Sequence, residues 1–162
     1  MRTIRLFIAI LSLSFISHFS GAQCTSGWQW AQNDNGVERN ELHGIAIDDD
    51  GNTYIAGWFD SDQVTLGGIS VNNFVQGESG NGDMYVAKLD PAGNALWAHA
   101  IGGNNSDWCW DMAIDDNGNV AIAGEYYSPS ITIGTTTLTN SGLSDVLAAK
   151  FSSDGEPLWA AD

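Results

Sequence analysis

Two acidic phrases, Asp48-Asp49-Asp50-Gly51-Asn52 and Asp115-Asp116-Asn117-Gly118-Asn119, hold the residues of this chain best suited to chemistry. Carboxylates clustered at a glycine turn are what a hard cation such as calcium selects, with Asp48, Asp50, Asp115 and Asn117 as candidate ligands. An EF-hand-type loop, however, continues to a distant bidentate Glu, and neither phrase has one in place. The same residue types also build tight turns, because short Asp and Asn side chains hydrogen-bond nearby backbone and tolerate positive φ. The turn reading is preferred, so no cofactor is expected, with calcium as the alternative.

Asp83 and Asp145 each open a strand that carries Lys88 or Lys150 five residues on. A catalytic group is needed once, so recurrence argues for a structural duty: a hydrogen bond at the strand start and an ion pair with the lysine. His43 and His99 do not recur, having Trp110 and Ala161 as counterparts. No His, Cys and carboxylate spacing suits zinc, no Gly-x-Ser-x-Gly elbow presents a nucleophile, and nothing selects a pair of acids for hydrolysis. A non-enzymatic protein is expected, with a glycan hydrolase or lyase as the alternative. The better binding candidates are residues that differ between equivalent positions: Trp108 and Trp110, which replace Glu41 and His43, and Phe74 in an inserted loop. Aromatic side chains near loops stack on sugars or anchor a protein partner.

These candidates sit on a repeat. IAIDDDGNTYIAG, residues 45–57, returns sixty-seven positions later as MAIDDNGNVAIAG, residues 112–124, with nine of thirteen positions identical. Each copy reads as a strand, an Asp-Gly or Asn-Gly turn and a second strand, which is a β-hairpin pattern. GDMYVAKLDPAGNALWA, residues 82–98, matches SDVLAAKFSSDGEPLWA, residues 144–160, at seven of seventeen positions and a spacing of sixty-two. The first copy therefore carries five extra residues within NNFVQGESGNG, a Gly, Ser and Asn-rich surface loop. Trp30-Ala31, Trp97-Ala98 and Trp159-Ala160 bracket the two copies.

A unit of about four short strands with short connections is an antiparallel meander. Tyr54-Ile55-Ala56-Gly57, Met84-Tyr85-Val86-Ala87 and Val146-Leu147-Ala148-Ala149 are apolar at consecutive positions, so these strands are expected to be covered on both faces. The expected fold is all-β, a partial β-propeller of two antiparallel four-stranded blade-like repeats. The division is residues 1–22 as a leader, 23–96 as the first repeat with an N-terminal strand, and 97–162 as the second repeat with the start of a third. Closed propellers need about four to eight blades, so the chain reads as an N-terminal piece of a longer protein. Two units leave apolar faces wet, and Ile55, Val86, Trp97, Ile122, Ala148 and Trp159 are expected on such faces. Self-association, or further repeats of the same protein, would cover them.

The hairpin phrase, the AKLDPAGNALW segment at 87–97 and the Gly102-Gly103-Asn104 that follows resemble the SBBP family of β-propeller repeats over nearly all of residues 30–160. The resemblance implies a propeller, an exported bacterial protein at the outer surface, and no assigned enzymatic activity or ligand. The sequence departs from the pattern at Phe151-Ser152-Ser153-Asp154, where the first copy has Leu89-Asp90-Pro91-Ala92.

The first twenty-two residues agree with export. Arg2 and Arg5 precede an apolar run from Leu6 to Ile16 and then Ser20-Gly21-Ala22, the layout of a secretory signal peptide cleaved before Gln23. Eleven residues are too few to span a bilayer. Cys24 would be a lipid anchor point only after a small residue, and Gln23 precedes it. Cys24 and Cys109 form the one disulfide that an oxidising compartment allows, with a free buried Cys109 as the alternative. The formal charge of −15 becomes more negative when Arg2 and Arg5 leave, and it repels nucleic acid and anionic lipid. The function expected is binding or display at the cell surface, with a protein or a glycan as partner. A polysaccharide-active enzyme or the spacer of an adhesin are the alternatives.

Overall fold

The computed structural model describes residues 30–162, so the leader, its cleavage site and Cys24 lie outside the described residues. Every regular element among them is a strand. Sheet I contains β1 (Asn40–Ile47), β2 (Thr53–Phe59), β5 (Asp83–Leu89) and β6 (Ala95–Ile101), hydrogen-bonded in the order β1-β2-β5-β6. Sheet II repeats it with β7 (Asp107–Ile114), β8 (Val120–Tyr126), β11 (Asp145–Phe151) and β12 (Pro157–Ala161), in the order β7-β8-β11-β12. All the pairings are antiparallel, and the two sheets are blade-like units of a partial β-propeller. The Trp97 strand, placed at the head of the second unit by the sequence reading, is the last strand of sheet I, with Trp97 opposite Lys88.

Between the second and third strands of each sheet lies a short hairpin that the sequence reading did not separate: β3 (Gln63–Leu66) with β4 (Ile69–Asn72), and β9 (Ser130–Ile133) with β10 (Thr136–Thr139). Val64, Leu66 and Val71 pack with Phe59, Tyr85 and Ala87 on sheet I. Ile131, Ile133 and Leu138 join the main core.

The turns explain the aspartates. Asp48 Oδ1 accepts from the backbone N–H of Asp50 at 3.1 Å and of Asn52 at 2.8 Å, and Oδ2 accepts from the Asn52 amide at 2.9 Å. Asp115 does the same toward Asn117 and Asn119. Asp90 makes these contacts with Ala92 and Asn94 in the β5–β6 turn. In the β11–β12 turn the Ser152 hydroxyl accepts from the N–H of Asp154 and Glu156. Each turn carries a glycine with φ between 72° and 87° in its fourth position, a conformation that only residues without a Cβ adopt freely.

The two sheets stack in one direction. Tyr54, Ala56, Met84, Val86 and Trp97 on one face of sheet I, its forward face, meet Val120, Ile122, Leu147, Ala149 and Phe151 on the rear face of sheet II in one continuous core. Ile55 is the counterpart of Ile122, so the rear face of sheet I is the one that carries Ile45, Thr53, Ile55 and Leu89. The forward face of sheet II carries Ala121, Ala123, Val146, Ala148 and Trp159. Val86, Trp97 and Ile122 are therefore buried between the sheets and not on outer faces as expected. The expectation mixed residues from both faces of a strand, although successive side chains point to opposite faces.

Coverage follows from the stack. β5 is buried at every position because sheet II covers one face, while the β3–β4 hairpin and the turns cover the other. β11 alternates, with Val146 71% exposed, so its consecutive apolar run is covered on one face only. Full burial of a side chain such as Met84 or Val86 contributes about 1.5–3 kcal/mol.

Candidate functional site

β1 and β7 are the first strands of the two sheets, and they lie against one another along one edge of the stack. Each contains a β-bulge, and the skipped residue is His43 in β1 and Trp110 in β7, sixty-seven positions apart. A bulge bends its strand and re-aims a side chain. The two re-aimed rings meet edge to face, with centroids 5.4 Å apart.

An aromatic patch grows from this pair. Trp108 lies 5.6 Å from Trp110, 5.2 Å from Tyr127 and 6.2 Å from Trp58. Trp58 comes from sheet I, Trp108 and Trp110 from β7 of sheet II and Tyr127 from the residue after β8, so the patch exists only because the units are stacked. Trp110 is 47% exposed and forms its outer surface. Trp108 and Tyr127 form one wall of a cleft of about 340 Å³, which Asn81, Asn105, Ser106 and the exposed Leu143 complete.

A charged chain borders the patch. The Arg39 guanidinium sits 5.1 Å over the Trp58 ring and donates from Nε to Glu41 Oε1 at 2.6 Å. That bond holds the Glu41 carboxyl below the usual range. His43 Nε2 is 3.0 Å from Glu41 Oε2 and 3.1 Å from Trp58 Nε1. One nitrogen cannot serve both neighbours at once. When it carries a proton it donates to Glu41, and when it does not it accepts from the indole N–H.

Of the binding candidates read from sequence, the structure brings Trp108 and Trp110 together and leaves Phe74 apart. Phe74 is 58% exposed in the loop before β5, and its N–H donates to Asp83 at 2.6 Å. Sequence reasoning missed Trp58 and Tyr127, although the signal was present: their equivalents in the other copy are Glu125 and Asp60.

Asp48, Asp50, Asp115 and Asn117 come together differently. The β1–β2 and β7–β8 turns line one polar cleft of about 460 Å³, together with Lys88 and Ser153. Asp48 and Asp115 are engaged with the N–H groups of their own turns, and each also faces a lysine: Lys88 at 3.5 Å and Lys150 at 2.8 Å. The Lys150 ammonium, with the Asn119 bonds, holds the Asp115 carboxyl well below the usual range. Among the described residues, no group of three or more His, Cys, Asp and Glu is placed to hold a metal ion. The lysines were expected to pair with Asp83 and Asp145, but they pair with the turn aspartates, because Asp83 and Asp145 turn toward the preceding loop, where they accept from Phe74 and Ser141.

Asp83 is fully buried, and its Oδ1 has no hydrogen-bond partner. Burial, with the nearby Asp107 charge adding to it against the Phe74 and Gly103 N–H groups, pushes its carboxyl up to about 7. Cys109 is buried in the inter-sheet core, where desolvation pushes its thiol up to about 12. Its pairing with Cys24 falls outside the described residues.

No family model matches the chain. Over 98 residues it is 31% identical to an uncharacterized WD repeat-containing protein of Acanthamoeba polyphaga mimivirus, a match that covers 60% of this chain and 7% of that protein. The chain thus spans a small part of that relative's length, and the likeness agrees with two blade-like repeats. No helix among the described residues is long and apolar enough to cross a membrane.

Proposed function

We propose that this is an exported, non-enzymatic propeller-type module that binds a neutral glycan through the aromatic patch at the junction of its two units. The observation that carries the reading is the paired bulge, which turns His43 and Trp110 together and brings Trp108 and Tyr127 to one surface over the buried Trp58. Indole faces stack on the apolar faces of sugar rings, and the amide and hydroxyl groups of Asn81, Asn105 and Ser106 beside them supply hydrogen bonds. The acidic surface repels polyanions, which favours an uncharged chain. Export is supported by the basic and apolar layout of the first twenty-two residues, and surface display by the resemblance to SBBP-type repeats.

Titration of the purified protein with a panel of neutral oligosaccharides, followed by tryptophan fluorescence, tests this. At least one should shift the emission, and Trp110→Ala should weaken binding roughly tenfold or more, as loss of a central aromatic anchor does, with the melting temperature unchanged. Binding by Trp110→Ala as tight as by the parent would refute the assignment, and a panel without effect would favour the adhesin-spacer reading. New reducing ends appearing during incubation would favour the enzymatic alternative. Sequencing of secreted material should find Gln23 first, and an intact Met1 would refute export.

A further inference from the structure

The surfaces left open at the two ends of the stack are the two halves of the interface already formed inside it. The forward face of sheet I is covered by the rear face of sheet II. What remains uncovered is a rear face on sheet I, with Leu42, Ile45 and Ile47 53%, 64% and 65% exposed, and a forward face on sheet II, with Val146 71% and Trp159 46% exposed. We infer that a second copy of this chain docks head to tail, the forward face of its sheet II covering the rear face of sheet I as sheet II covers sheet I within one chain.

Three observations argue for this occupant. First, β11 is apolar at four consecutive positions, Val146 to Ala149, the pattern of a strand covered on both faces, yet one of its faces is bare. Second, the rear face of sheet I already holds a fragment of the surface proposed to cover it. Trp30 packs on Gly93 as Trp97 packs on Gly155: a Cβ on either glycine would stand 2.8 Å from Cδ2 of the indole. Gln32 Nε2 donates to the Gly93 carbonyl at 2.6 Å, and His99 Nε2 lies 2.9 Å from the Gly155 carbonyl. Third, the segment carrying Trp30 and Gln32 belongs to no sheet, and beside it an apolar groove of about 470 Å³ runs along Leu42, Ile45, Ile55 and Leu66. In the assembly β12 of the second copy replaces that segment, and Trp159 takes the seat on Gly93.

At one position the contact between copies cannot repeat the internal one. Gly44 has no side chain because Met112 fills the space, with Cβ of Met112 3.0 Å from where a Gly44 Cβ would be. Its counterpart on the open forward face is Asp111, which would meet Ile45. This contact weakens the docking relative to the internal interface and places a negative charge at its rim.

The contact is heterologous, so it builds rings or open filaments rather than a two-fold dimer, and mixing variants reads this out. Analytical ultracentrifugation of the full mature chain should show species larger than one chain, growing with concentration. Ile45→Asp and Val146→Asp, each at an exposed position, should both sediment as monomers. An equimolar mixture of the two should form a one-to-one dimer, because each variant keeps the face that the other needs. Asp111→Gly should tighten the parent's association, by roughly tenfold for one relieved contact. A strictly monomeric parent, a mixture that stays monomeric beside an associating parent, or weaker association of Asp111→Gly would each overturn the proposal.

Discussion

Replacing Asp83 by Asn should stabilise the protein at alkaline pH and do little in acid. Asp83 is fully buried at the start of β5, one carboxylate oxygen accepts from the Phe74 N–H, and the other has no partner. Its folded-state pKa is raised from 3.8 to about 7, chiefly by desolvation. The sign follows from proton linkage. The folded chain holds a proton that the unfolded chain has released, so this carboxyl lowers stability as pH rises from about 4 to about 7, and the full cost applies above that window. A displacement of about 3 pH units corresponds to a ceiling of about 4 kcal/mol. Buried sites respond as if their dielectric were nearer 20 than 4, so about 2 kcal/mol is the expected gain. Asn keeps an acceptor for Phe74 and cannot ionise. Urea unfolding of Asp83→Asn and the parent at about pH 4.5 and about pH 8 gives the difference, in which titrating groups other than the neighbouring Asp107 cancel. A gain at pH 8 that disappears toward pH 4.5 supports the reasoning. A variant equally destabilised at both values would refute it, and would show that the hydrogen bonds to the carboxylate outweigh its desolvation.

Two further outcomes follow from the turns. Gly155→Ala should cost about 2 kcal/mol or more in chemical denaturation, because φ is 86° there and the new methyl would meet the Trp97 indole at 2.8 Å; a loss under about 0.5 kcal/mol would mean that this indole seat is soft. Millimolar calcium should raise the melting temperature by less than about ten degrees, since Asp48 and Asp115 are committed to their own turns and to lysines. A larger rise would restore the metal reading of Asp48, Asp50, Asp115 and Asn117.

The repeat was legible because its turn chemistry is local. An Asp that caps a glycine turn announces a hairpin wherever it occurs, and the Lys opposite each Trp fixes the last strand pair. The β3–β4 hairpin was also written in the sequence, as Val64-Thr65-Leu66-Gly67-Gly68-Ile69-Ser70-Val71, alternating around a two-glycine turn. The longer apolar runs on either side mask it. Face assignment was not legible, because strands apolar at every position carry no mark of which side meets the neighbour. Ile55 and Val86 look alike in sequence, yet they lie on opposite faces. The candidate site was half visible. Trp108 and Trp110 stood out by differing from Glu41 and His43, and the same comparison applied to every aromatic residue would have added Trp58 and Tyr127. The bulges that aim His43 and Trp110 leave no single-residue signature, since they arise from pairing along a whole strand.

The central claim is that the two units stack in one direction with β1 against β7, which is what gathers the unlike residues into a site. With Cys24 and Cys109 both replaced, by Ser and Ala, the pair Gly44→Cys and Met112→Cys places two Cβ atoms about 3.0 Å apart, about half an ångström inside the 3.5–4.5 Å of a disulfide, a gap that a small shift of either strand closes. Within residues 23–162 trypsin cuts only after Arg39, Lys88 and Lys150, so the bridge would join the peptides of residues 40–88 and 89–150. Mass spectrometry without reductant should find that linked pair, lost on reduction, in protein oxidised under native conditions. If both cysteines remain free thiols while the protein is folded, β1 does not lie on β7, and the patch at their junction does not exist.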